Sequence, residues 1–263
     1  MKNMSNSSIV IRDLYKSYGE VQALGGIDLE IPNGQIFGIL GPNGSGKTTL
    51  LKIITSIMEP TSGLVVVNGI NAGENPMKVK TIVGYVPETP TLYESLTPLE
   101  FLGFVGSIRK VDHNILSERI NRFASAFEIE DKMNNFIGSL SFGTKQKVAI
   151  ISAFIHDPEI IVLDEGMNGL DPRSAKILKN LLLDFVSAGK TVLFSTHVLE
   201  VAESVCHRMA IIYKGNIVDV GTLKELRESA GEKDAKLEDI FLNATGDSDL
   251  KPVIESLKET LSK

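Results

Sequence analysis

Gly41, Pro42, Asn43, Gly44, Ser45, Gly46, Lys47 and Thr48, followed by Thr49, satisfy the pattern G-x-x-x-x-G-K-[ST]. The segment stands between the apolar run FGIL and the helical-looking TTLLKIITSI, so it reads as a loop joining a strand to a helix N-terminus. Glycines there let backbone N–H groups turn toward a β-phosphate, where they add to the positive end of the helix dipole. Lys47 would place a point charge between β- and γ-phosphates, and the Thr48 hydroxyl would sit on Mg²⁺. A second chemical element is EIIVLDEG, 159–166, an apolar strand ending in two acids. In a parallel sheet this puts both carboxylates at the carboxyl edge, where ligands of such sheets bind. Asp164 is expected to hold Mg²⁺ through water, and Glu165 to orient and polarise an attacking water. Without the phosphate loop upstream, the same two acids read equally well as a strand cap.

Two further segments carry weaker signals. In LSFGTKQKVAI, 140–150, a serine followed by small residues at a helix start makes an anion nest, although a plain N-cap at Ser139 or Ser141 accounts for it as well. GLDP, 169–172, is a turn just after the acids, and STH, 195–197, ends the next apolar strand. His113, His156 and His207 read as structural. His197 differs, because it sits at a strand's carboxyl end beside the expected γ-phosphate.

Composition bounds the remaining possibilities. The chain has 263 residues, 43% hydrophobic and 23% charged, which is ordinary globular composition for one large domain or two small ones. A net charge of −6 offers no basic field to nucleic acid, and the absence of Trp with 6% aromatics argues against base stacking on single strands. Cys206, the single cysteine, excludes an intramolecular disulfide and a cysteine-cluster metal site, and a reducing cytosol is expected. No apolar signal-peptide region is visible at the start. The richest apolar stretches, FLGFVGSI (101–108) and VAIISAFI (148–155), fall well short of the ~18 residues of a membrane-spanning helix. Asn3, Asn6, Asn43 and Asn243 match N-x-S/T, which means nothing without a secretory signal.

The elements that must position these residues alternate along the chain. Strands are expected at 8–14, 35–40, 63–67, 81–86, 160–163, 191–195, 208–213 and 216–220. The first 35 residues, with their Gly-Gly and Pro-Asn-Gly turns, read as a small antiparallel sheet. From Gln35 onward, strands alternating with helices favour a parallel α/β sheet. Between about 88 and 155 the strand signal gives way to helical periodicity, the pattern of a helical insert. After Val220 come amphipathic pieces at 223–230 and 237–242 and a charged end, together a partly flexible helical extension over 223–263.

The order phosphate loop, LSxG element, LDE, GLDP and STH resembles the ATP-binding domain of ABC (ATP-binding cassette) proteins over roughly residues 8–222. The resemblance implies an α/β fold with a P-loop NTPase (RecA-like) parallel core, an N-terminal antiparallel β subdomain and an inserted α-helical subdomain, with 1–222 as the ATP-binding domain. It implies two such domains, homo- or heterodimeric, holding two MgATP head to tail. Ser141 and Gly143 would touch the γ-phosphate of the partner's ATP. Tyr18, in KSYGEVQAL, would stack on adenine in preference to Tyr15. His197 would be the switch histidine and Asp171 the loop acid at the dimer seam. Glu88, in GYVPE, falls where the family has a lid-loop glutamine, and would ligate Mg²⁺ or accept from water. Phe142 and Thr144 depart from the usual LSGGQ, and Gly166 stands where a Pro often follows the catalytic Glu.

GYVPE with LYESLTPLEFL and the late LEDIFL look like the exporter-associated bacterial branch, whose members pair with separately encoded membrane permeases. The expected function is therefore an ATPase subunit at the cytoplasmic face of a membrane, with no nucleic acid partner. A soluble ABC ATPase acting on nucleic acid or ribosomes, and a regulatory ATP-binding module with weak turnover, are the alternatives.

Overall fold

The computed structural model describes residues 7–231 and 235–245; Asn3, Asn6 and the charged end expected from 246 onward lie outside the described residues. The chain runs β1 (Ser7–Tyr18), β2 (Val21–Pro32), β3 (Ile36–Leu40), α1 (Lys47–Ile54), β4 (Ser62–Val67), β5 (Ile70–Asn71), α2 (Pro76–Ile82) and β6 (Val83–Val86). It continues through α3 (Pro98–Ile108), α4 (His113–Ala126), α5 (Phe142–Phe154), β7 (Ile160–Asp164), α6 (Pro172–Ser187), β8 (Thr191–Thr196) and α7 (Leu199–Val205). Then follow β9 (Arg208–Tyr213), β10 (Asn216–Gly221), α8 (Leu223–Ser229) and α9 (Leu237–Thr245).

Two sheets form. One is antiparallel in the order β2-β1-β4-β5; the other, β10-β9-β3-β8-β7-β6, is parallel except for the β9–β10 hairpin. Strands β3 (IFGIL) and β7 (IIVLD) are buried along their whole length. Their continuous apolar runs follow from burial on both faces. Ile160 and Val162 join Phe37, Ile39 and Leu193 in a cluster shared with the antiparallel sheet and α1. Ile161 and Leu163 point the other way, joining Val192 and Phe194 in a cluster filled by α3, α4, α5 and α6.

Three expectations are corrected. The 63–67 strand does not join the parallel alternation: β4 pairs antiparallel with β1, Val66 opposite Val10, and extends the N-terminal sheet. The 81–86 strand begins only at Val83, because Pro76 opens a helix that runs to Ile82. The amphipathic pieces near the end do not stand off the molecule. Leu226, Leu237 and Ile240 are buried with Leu40, Met209 and Ile211, so α8 and α9 pack behind the strand that delivers the phosphate loop. Leu237→Ala is accordingly expected to destabilise the protein by about 2–4 kcal/mol, measured as a lower Tm; an unchanged Tm would show that α9 is not part of the core.

Candidate functional site

Register alone gathers the chemistry at one edge. In the parallel sheet Leu40 lies opposite Thr196 and Asp164 opposite Ser195. The residues that follow each strand, beginning with Gly41, Glu165 and His197, therefore emerge side by side at the carboxyl ends. Gly46 caps α1 with φ of 108°, and a Cβ there would lie 2.8 Å from the Ala23 carbonyl oxygen, so only glycine fits. Lys47 is 6% exposed. Its Nζ donates to the carbonyls of Gly41 (2.8 Å) and Pro42 (3.2 Å) and stands 3.7 Å from Glu165 Oε1.

The two acids are buried and differently held. Asp164 is fully buried; its Oδ1 accepts from the Ser195 hydroxyl at 2.7 Å and its Oδ2 from the Tyr85 hydroxyl at 3.4 Å. Burial, and then the charge of Asp164, push the Tyr85 pKa up, so the phenol stays a donor. Glu165 is 4% exposed and takes φ of 51°, a left-handed conformation that non-glycine residues adopt at a cost. Its N–H is held by both the Ser195 hydroxyl (3.1 Å) and the Ser195 carbonyl (3.2 Å). Its Oε1 accepts from His197 Nδ1 at 2.9 Å, which requires the proton on that nitrogen. Its Oε2 is buried and has no hydrogen-bond partner among the described residues.

A cavity of about 240 Å³ opens beside these groups, lined by Asn43, Gly44, Gly46, Lys47, Thr49 and Glu165 and shared by Thr48 and Glu88. A second, of about 480 Å³, is lined by Thr48, Glu88 and Asp164 together with Tyr85 and apolar residues. The three residues expected at Mg²⁺ thus face one space. Among the described residues no three His, Cys, Asp or Glu side chains gather into a protein cage. A hydroxyl with two carboxylates and room for water and phosphate oxygens is the donor set that Mg²⁺ takes. The orphaned Oε2 of Glu165 and the buried, unpartnered Ser45 hydroxyl supply further polar atoms. The residues present fit both a triphosphate and its cation.

The remaining candidates gather elsewhere. Ser141, not Ser139, is the N-cap of α5: its Oγ accepts from the Thr144 N–H at 3.3 Å and lies 2.9 Å from the Thr144 hydroxyl. Asp171 caps α6, accepting from the Ser174 N–H (2.8 Å) and hydroxyl (2.7 Å), and lies 2.9 Å from Lys147 Nζ. Lys147, followed by Ser174, holds the Asp171 carboxyl well below the usual carboxylate range. Gly143 packs beside this loop, where a Cβ would fall 2.6 Å from the Gly169 carbonyl oxygen. None of the three lines either cavity described above. Tyr18 ends β1, 48% exposed, its hydroxyl on Met58 Sδ (2.9 Å) and 3.5 Å from Thr49 Oγ1, with Lys16 Nζ over its ring.

The candidate list from sequence lacks Ser195, Tyr85, Gln146 and Lys147. Ser195 stands in the STH segment, where its position at a strand end was a signal. Tyr85, Gln146 and Lys147 become visible only through contacts across elements.

The family model for the ABC transporter matches residues 24–168. The ABC transporter ATP-binding protein NatA of Bacillus subtilis is 36% identical over 224 residues, 85% of this chain and 90% of that protein. A solved ATP-binding subunit of an ABC transporter superposes with a TM-score of 0.86 at 30% identity, covering 90% of this chain and 99% of that one. The dimeric post-hydrolysis state of the ATP-binding cassette MJ0796, bound to ADP and Pi, gives 0.76 at 28% identity, covering 82% of this chain and 98% of that one. With more than half of its length matched by the family model and its phosphate loop, acids and histidine at one sheet edge, the chain belongs to the ABC transporter family, among its ATP-binding proteins.

Proposed function

We propose that this chain binds and hydrolyses MgATP and, paired with a second such subunit, powers an exporter through a separate membrane permease. The observation that carries the reading is the convergence of Lys47 and Glu165 on the cavity that the phosphate loop lines, with His197 behind them on the Glu165 carboxylate. In that arrangement Tyr18 stacks on adenine and the loop N–H groups of 41–48 cradle the phosphates. Thr48, Asp164 and Glu88 would hold Mg²⁺, which would neutralise phosphate charge. His197 holds Oε1 of Glu165, and the carboxylate so oriented, at the wall of the cavity, accepts from an attacking water. The water oxygen bonds to the γ-phosphorus as its bond to the bridging oxygen breaks, the water proton passes by way of Glu165, and ADP and phosphate result. Lys47 stabilises the charge that spreads over the γ-phosphoryl oxygens.

Ser141 and Gly143, away from both cavities, are available to a partner's γ-phosphate, and Asp171 to the seam between the two. The dimeric neighbour bound to ADP and Pi supports that pairing. For the permease, Tyr93, Leu99, Phe104 and Ile108 offer exposed apolar side chains on and beside α3, Tyr93 and Phe104 in ring contact, and NatA is named as an ABC transporter ATP-binding protein. No helix among the described residues is long and apolar enough to cross a membrane; in the proposed reading the work is passed to another chain at the cytoplasmic face. Export rather than import rests on the GYVPE and LEDIFL segments. A domain division at 222, with 88–155 as the helical insert, belongs to the same reading.

Glu165→Gln is expected to trap an ATP-bound dimer, seen by size-exclusion chromatography with excess MgATP; a variant that stays monomeric counts against the mechanism. Tyr18→Ala is expected to weaken ATP binding by about 1–2 kcal/mol, the value of one stacked ring, with kcat at saturating ATP retained; an unchanged Kd removes Tyr18 from the adenine site. Detergent extraction of the tagged chain from its cells is expected to recover a stoichiometric polytopic membrane protein. Recovery of ribosomes, DNA or soluble partners alone would replace the transport reading with a soluble ATPase.

A further inference from the structure

We infer that Gln146 is a positioning residue for Glu165, a reading that rests on the ATPase function proposed above. Gln146 is fully buried in the first turns of α5, and its Nε2 donates to the Gly166 carbonyl at 3.1 Å. Only the amide nitrogen can face a carbonyl, so the contact itself fixes the orientation of the side chain. Its Oε1 then points away and has no hydrogen-bond partner among the described residues. A buried amide oxygen without a partner is unfavourable, and a methionine or leucine would fill similar space without it. Packing therefore does not account for an amide at this position; the bond to Gly166 does.

That bond acts next to the one strained peptide of the site. Glu165 holds a left-handed backbone at φ of 51°, and a residue in that region keeps its conformation only when its neighbours over-determine it. Ser195 restrains the peptide on the N-terminal side of Glu165, through the Glu165 N–H. Gln146 restrains the following residue from the opposite side, through the Gly166 carbonyl. The same helix start touches the loop further on: the Phe142 ring lies where a Cβ at Gly169 would come within 2.4 Å of it, and Lys147 pairs with Asp171 at 2.9 Å. Of these contacts only that of Gln146 meets the residue adjoining the carboxylate. The helix that Ser141 caps and the turn that aims Glu165 are thereby joined, so a displacement of α5 moves Glu165.

The test compares ATPase kinetics, MgATP affinity and Tm of the full chain with those of Gln146→Met and Gln146→Leu, which keep apolar volume and lose the donor. The expected result is a kcat lower by about tenfold with KM, nucleotide affinity and Tm near wild type. An unchanged kcat in variants of a wild type that turns over overturns the role of Gln146 alone. A kcat loss matched by weaker binding and a lower Tm, or loss of folding in both variants, assigns the residue to the core and also overturns it. No turnover by the wild-type chain overturns the ATPase reading along with it.

Discussion

The relative register of β3, β8 and β7 is the constraint on which the site depends. Three parallel strands, apolar on both faces, can be buried only between two layers, and the clusters above and below fix their alignment. Slip one strand by a residue and every side chain changes face; Asp164 would leave Ser195, and Glu165 would leave His197. The phosphate loop, more than 100 residues from the acids and the histidine in the chain, shares an edge with them for this reason. The fold stores its chemistry in strand ends rather than in any one segment.

Burial of charge then organises that edge. Lys47, Asp164 and Glu165 are all nearly excluded from solvent, a costly arrangement for ionised groups unless each finds partners. The lysine is met by loop carbonyls and a carboxylate, Asp164 by two hydroxyls, and Glu165 by a histidine on one oxygen. Ser195 serves both acids, donating to one and accepting from the backbone of the other. The atoms left over, Oε2 of Glu165 and the hydroxyl of Ser45, lie at the phosphate loop and the acids that line or adjoin the cavities.

A second pole forms where α5 and α6 begin. Ser141 and Asp171 are both helix caps, and each satisfies N–H groups that the first turn leaves open. Lys147 and Gln146 tie the two helix starts and the loop between them into one piece. The departures at Phe142 and Thr144 are absorbed locally: the ring covers Gly169 and the threonine hydroxyl meets Ser141.

The amino-acid sequence by itself determined the chemistry and the class of fold. Glycine, lysine and threonine at fixed spacing, acids after an apolar strand, and alternation of strand and helix are local patterns, each with a local physical cause. It also marked the helical stretch in which α3, α4 and α5 form, because the period of apolar residues changes there. Tertiary structure decided what depends on partners distant in sequence. β4 looked like a strand of the parallel core and pairs instead with β1, since its apolar face closes the N-terminal sheet. The segments of α8 and α9 looked peripheral, yet their few apolar residues complete a cluster on Leu40. Gln146 carried no signal at all, because a glutamine in a helix is ordinary until the loop it holds, 20 residues on, is folded against it.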